Sequence, residues 1–184
     1  MVFGIVTLIE GEAGAQVHAL WARLRGQLGN EAIAEMTTPH LTYHCADDYD
    51  REALSALFER VASEVVPFEV SSPGVGIVAR EGGGVTWLNV TRTPRMNELH
   101  ARLWDASCDA SRGEVYDRYA APTWNPHVTL SYAPVVQDRA AILVEAMRDE
   151  RLPRTLHIDN LALIEDTGAG HELVLRVGLR GAEQ

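Results

Sequence analysis

Positive charge is scarce in this sequence. Sixteen Lys and Arg residues stand against 26 Asp and Glu, leaving a formal net charge of −10. Binding along a nucleic-acid backbone draws its affinity from basic contacts to phosphates, so no coating of long nucleic acid is expected. A small anionic ligand in a locally positive pocket remains compatible with that charge. Cysteine is almost absent. Cys45 and Cys108 have no zinc or redox spacing and cannot build a disulfide scaffold. A reducing, cytoplasmic location is the matching expectation. Long apolar runs are missing too: no stretch approaches the roughly 20 residues that span a bilayer, so no membrane partner is expected. The opening "MVFGIVTLIEGE" has a short apolar run with no basic lead and meets Glu10 early; it reads as a first strand and not as a signal peptide.

What is present is a repeat. "TPHLTYH" at 38–44 and "NPHVTLSY" at 125–132 are strand-like in composition. Side chains alternate along a strand. Leu41 and Tyr43 then share one face, with His40, Thr42 and His44 on the other. In the second stretch Val128, Leu130 and Tyr132 oppose His127, Thr129 and Ser131. The two leading histidines, at positions 40 and 127, lie 87 residues apart.

That offset carries through the following sequence. Residues 51–66 place Leu54, Leu57, Phe58, Val61 and Val65 at helical spacing, and the offset lands on 138–153, a second helical pattern with Asp138 as its N-cap. The strand-like stretch 68–79 maps to 155–166. The glycine-rich turn 81–84 maps to 168–171, and strand 85–91 to 172–178. Upstream, Leu20-Trp21 resembles Leu103-Trp104 at an offset of 83. The difference leaves 113–124 as a loop bordering the second His strand. The expected fold class is α+β: one domain over 1–184, bilobal, a pseudo-twofold repeat of helix, His-strand, helix and hairpin around a central cleft. Lobe one would cover about 1–92 and lobe two about 93–184.

A lone strand histidine is usually a surface or satisfied core residue, and His18, His100, His157 and His171 are read that way. Two copies at the same place in a repeated unit are different, because a polar strip on an otherwise buried strand costs desolvation unless it is used or wet. A metal site is not expected. On a straight strand His40 and His44 would be roughly 13 Å apart at about 3.3 Å per residue, and no cysteine cluster offers an alternative.

With His40-Leu41-Thr42 and His127-Val128-Thr129 in repeat register, the chain resembles the two-histidine (2H) phosphoesterase superfamily, in its 2'-5' RNA ligase-like, cyclic phosphodiesterase branch. The resemblance covers essentially the whole chain and is most specific at "WNPHVTLSY". It implies metal-independent hydrolysis of a 2',3'-cyclic phosphate or a 2'-5' linkage, with no cofactor, by His40 and His127 as an acid–base pair helped by Thr42 and Thr129. In some relatives a basic residue follows the second motif. Here Ser131, Tyr132 and Ala133 follow, which leaves recognition of an RNA strand, and hydrolysis against ligation, open. The chemistry fits on its own terms: histidine can take or give a proton near neutral pH, and hydroxyls can donate to non-bridging oxygens as charge builds. Arg176 is a candidate to bind phosphate and Trp87 to stack on a base. The partner would be a small nucleotide or RNA terminus, and the chain a monomer. Which histidine is the acid stays open, as does a non-catalytic module that binds a nucleotide or RNA end.

Overall fold

A computed structural model describes residues 2–28, 36–80, 83–132, 145 and 152–182. The fold is α+β. Along the chain run β1 (Val2–Leu8), α1 (Gly11–Leu28), β2 (His40–Tyr49), α2 (Arg51–Glu64), β3 (Phe68–Ser71), β4 (Val75–Arg80), β5 (Gly83–Asn89), α3 (Pro94–Ala110), β6 (Ser111–Val115), a 3-10 turn (Asp117–Tyr119), β7 (His127–Ser131), β8 (Thr155–Ile158), β9 (Asn160–Asp166) and β10 (His171–Gly178). The helix expected over 138–153 falls almost wholly outside the described residues, as do positions 81 and 82 of the first glycine-rich turn.

Local chemistry accounts for the helix starts. Asp50 caps α2, its carboxylate accepting from the Glu52 and Ala53 N–H groups at 3.1 Å each. Thr93 caps α3 ahead of Pro94, whose missing N–H costs nothing in the first turn. Leu54, Leu57, Phe58 and Val61 of α2 are buried, as their spacing predicts. At roughly 1.5–3 kcal/mol for each fully buried large apolar side chain, this face outweighs any intrinsic helix propensity.

The main sheet runs β10-β9-β1-β2-β7-β5-β4, with β6 added beside β2, and β3 pairs separately with β8. Pairing is antiparallel throughout. Hairpin β4–β5, from the first half of the chain, joins β7 from the second. Hairpin β9–β10, from the second half, joins β1 from the first. Each flank therefore mixes both halves, and the lobes expected at about 1–92 and about 93–184 are not separate units of pairing. A lone hairpin cannot bury its face and must dock on a neighbour; the 87-residue offset does not say which. The offset does recur in the pairing itself. Leu41 pairs with Val128, its equivalent, and β3 pairs with β8, the equivalent stretches.

The stretch 68–79 is broken by Pro73-Gly74 into β3 and β4. Gly74 has φ of 151°, a conformation other residues rarely take. The core lies between sheet and helices. Ile5, Leu41, Tyr43, Leu88, Val128, Leu161 and Leu163 from the strands meet Leu20, Leu24, Phe58, Leu99 and Leu103 from the helices. A smaller apolar cluster, Val6, Leu8, Ala162 and Ile164, sits apart from it.

Candidate active site

The two motifs meet at one bridge. Leu41 faces Val128 across the antiparallel pair β2–β7, and both are fully buried. Their neighbours in sequence point to the other face of the sheet. That places His40, Thr42, His127 and Thr129 in a two-by-two array, all four partly exposed. In this register His40 lies opposite Thr129 and Thr42 opposite His127. The histidines occupy a diagonal, a relation that separates strand residues by about 7–8 Å. An imidazole at each end of such a diagonal can flank one tetrahedral phosphate.

Both rings are oriented the same way. His40 Nδ1 lies 2.7 Å from the Thr38 carbonyl oxygen, and His127 Nδ1 lies 2.7 Å from the Asn125 carbonyl oxygen. A carbonyl can only accept, so Nδ1 carries the proton in both and Nε2 is left for chemistry. The residue between is proline each time. Proline holds the residue before it in extended geometry, fixing the carbonyl that the ring reads. The Pro39 and Pro126 carbonyls accept from Ile9 N–H (2.8 Å) and Val90 N–H (3.2 Å). Indole groups secure the threonines: Trp124 Nε1–H donates to the Thr42 carbonyl at 2.8 Å and Trp21 Nε1–H to the Thr129 carbonyl at 3.2 Å.

The array shapes its own protonation. Burial, aided by the charge of neighbouring His171 and then His127, pushes the His40 pKa down to about 4, against partial support from the Thr38 bond. Burial also lowers the His127 pKa, opposed by the Asn125 bond and reinforced by Arg118. Both shifts favour the neutral ring, and His40 carries the larger depression.

The expected third histidine of the strip is absent from it. The pairing of β1 with β2 shifts between Ile5 and Val6: Val6 faces Thr42, but Ile5 faces His44. Tyr43 is the extra residue of a bulge, and a bulge turns every later side chain to the opposite face. His44 thus enters the core at 0% exposure, 4.8 Å from the Trp104 ring, with Nδ1 2.6 Å from the Tyr49 hydroxyl and Nε2 3.4 Å from Cys108 Sγ.

Trp87 lies beside the array. It is in register with Thr129, and its ring centroid is 5.8 Å from that of His127. Its indole lies over Gly76, where a Cβ would fall 2.4 Å from a ring carbon. Arg176 is not brought to the pair. It stands on the outer strand β10, in register with Ala162, then Val6, then Thr42. That is three ladders, about 14 Å, from Thr42, and Arg176 is bonded to Glu10 at 2.6 Å. The repeat equivalence of Trp87 with Val174 and Asn89 with Arg176 fails in space because β5 abuts β7 directly while β1 and β9 intervene between β2 and β10.

Two residues enter the site unannounced by spacing. The His171 ring is 4.7 Å from that of His40, edge to face, and the His171 backbone N–H donates to Thr37 Oγ1 at 2.8 Å. Arg118, on the 3-10 turn, acts electrostatically on His127. The only sequence signal for it was the extra length at 113–124. Among the described residues no group of three or more His, Cys, Asp or Glu side chains is placed to hold a metal ion, and no helix is long and apolar enough to cross a membrane.

Comparison with known proteins agrees with the α+β fold. TT0787 of Thermus thermophilus superposes with a TM-score of 0.66 at 16% identity, covering 100% of both chains. Escherichia coli LigT, solved with phosphate, gives 0.59 at 17% identity over 96% of each chain. Kluyveromyces marxianus Usb1 gives 0.53 at 10% identity over 97% of this chain and 97% of its own. At such identities the likeness is one of fold. No curated protein matches the sequence. The family model of the 2'-5' RNA ligase superfamily matches residues 12–170, most of the chain including both histidine motifs. This chain belongs to the 2'-5' RNA ligase superfamily of 2H phosphoesterases.

Proposed function

We propose that this protein is a metal-independent phosphodiesterase that opens a 2',3'-cyclic phosphate or cleaves a 2'-5' linkage at a nucleotide or RNA end, with His40 as base and His127 as acid. The observation that carries the reading is the diagonal pair of imidazoles, each tied at Nδ1 by the carbonyl two residues before it. His40, with a pKa near 4, is neutral over most of the working range and can accept at Nε2. It takes a proton from water as the water oxygen bonds to phosphorus. His127 holds a proton on each nitrogen, and the one on Nε2 passes to the ribose oxygen as the P–O bond breaks. The product is a phosphomonoester with a free hydroxyl. A phosphate dianion or monoanion between the rings raises both pKa values and favours the charged form of His127. The Thr42 and Thr129 hydroxyls donate to the non-bridging oxygens. Trp87, next to His127, offers a face for a base.

LigT has been solved with phosphate and with 3'-AMP, ligands of the chemistry this reading requires. The test is turnover of the wild-type protein and of His127→Ala on a panel of cyclic-phosphate and 2'-5'-linked substrates, with a chelator present. Wild-type turnover that chelation leaves intact and His127→Ala abolishes is the expected result. Binding without turnover on every substrate would replace the enzyme by a module that holds nucleotide ends.

A further inference from the structure

An acidic protein that binds a phosphate must supply positive charge locally. The chain contains no lysine, so all sixteen of its basic residues are arginines. Among the described residues, Arg51, Arg102, Arg112, Arg176 and Arg180 are each committed to a carboxylate. Arg118 is in none of those pairs. Its guanidinium carbon lies 5.2 Å from the Tyr116 ring centroid and 5.0 Å from that of Tyr119. A carboxylate partner would occupy the N–H fork of an arginine, whereas an aromatic face steadies the cation and leaves most of the in-plane N–H groups to a ligand.

The turn that carries Arg118 is strapped to both motifs. Tyr116 N–H donates to the Cys45 carbonyl of β2 at 3.0 Å, and the Tyr119 carbonyl lies 2.7 Å from His100 Nε2. His100 stacks on Trp124, centroids 4.2 Å apart, and Trp124 holds Thr42 and begins the short lead-in to His127. The Tyr119 phenol is hydrogen-bonded to the Cys45 thiol and accepts from one N–H of the Arg118 guanidinium. The field of Arg118 reaches His127, Cys45 and Tyr132, so the charge sits at the open end of the second motif. Its side chain is exposed and long enough to swing onto a bound anion.

We propose that Arg118 is the cation that grips the substrate phosphate at the His40–His127 pair, a role that rests on the phosphodiesterase reading above and that Arg176, held by Glu10, does not fill. Arg118 would donate to a non-bridging oxygen, the side of the phosphate left open by the two imidazoles.

The test is binding of inorganic phosphate and of 3'-AMP to the full chain by calorimetry, with KM and kcat on the best substrate. Hydrogen bonds to charged groups predict that Arg118→Met weakens binding roughly tenfold to a hundredfold, raises KM similarly, and leaves the melting temperature near wild type. Arg118→Lys should recover part of the affinity, since charge returns without the fork. Arg102→Met, which breaks a surface pair with Glu64, serves as the control and should bind as wild type. Equal affinity of wild type and a folded Arg118→Met would overturn the proposal while leaving the phosphodiesterase reading intact. Absence of phosphate binding by the wild type would instead remove that reading itself. Should Arg118→Met fail to fold, phenylglyoxal labelling of the wild type keeps the question decidable. Slower modification of Arg118 in the presence of phosphate supports the role, and an unchanged rate rejects it.

Discussion

Replacing the leaving group separates the two histidines. A ribose hydroxyl departs as a poor anion and needs a proton in the transition state, whereas a nitrophenolate leaves without one. If His127 is the acid, His127→Ala should slow hydrolysis of a cyclic nucleotide by about 10²–10⁴-fold, equivalent to roughly 3–5 kcal/mol of barrier. The same variant should lose less than about tenfold on a p-nitrophenyl phosphodiester. His40→Ala should lose about 10²–10⁴-fold on both, because the attacking water must be deprotonated either way. The pH profiles give a second, independent reading. In the free protein His40 is pushed down to about 4 by burial and by the neighbouring imidazoles, and His127 sits below its ordinary 6.5. The wild-type kcat/KM profile should then be a bell with its acid limb near pH 4 and its optimum on the acid side of neutral. At pH 7.5 the reactive form with His127 charged should be no more than about one molecule in ten. The limbs belong to the coupled pair, so kcat, measured with phosphate bound, should peak at higher pH than kcat/KM. His127→Ala should lose the alkaline limb and His40→Ala the acid limb. The double variant should cost little more than the worse single one. A reversed leaving-group pattern would exchange the roles, and near-wild-type turnover by both single variants would sink acid–base catalysis altogether.

Thr42→Ala and Thr129→Ala should each cost less than either histidine variant, at most about 10³-fold in kcat, since each hydroxyl is one donor among several; steady-state rates on the same substrate check this. Gly76→Ala should push the Trp87 indole off its seat, because the new methyl would fall 2.4 Å from a ring carbon, raising KM for a nucleotide more than for a p-nitrophenyl ester that lacks a base. Stability should fall with acid through His44. Its folded pKa is lowered from 6.5 to about 4 by burial, so the unfolded chain takes the proton first. The stabilisation is complete above pH 6.5 and is lost as pH drops toward 4, a difference of roughly 3 kcal/mol. Urea denaturation of wild type and His44→Gln at pH 7 and pH 4 measures it, and equal losses in the two proteins would contradict the buried neutral state.

Alternation along two short strands was enough to put His40, Thr42, His127 and Thr129 on the face opposite Leu41 and Val128, because side-chain direction in a strand follows from chain geometry alone. The prolines before each histidine were equally legible, although the carbonyl bonds to Nδ1 that they prepare were not. The amphipathic spacing of 51–65 gave α2 for the same local reason. The fate of His44 was hidden because one extra residue, Tyr43, inverts the pattern beyond it, and whether a strand bulges depends on its partner β1. Strand exchange was hidden because the offset records ancestry of segments and not which edge a hairpin finds. That choice put Trp87 beside His127 and removed Arg176 to the outer strand. His171 and Arg118 reach the site from a hairpin turn and a 3-10 turn far from the motifs in sequence, brought there by hydrogen bonds to Thr37 and Cys45. Sequence by itself determined what is periodic along a strand or helix. The sets of side chains that gather at the candidate site were decided by tertiary pairing, since contacts between segments more than thirty residues apart obey no period.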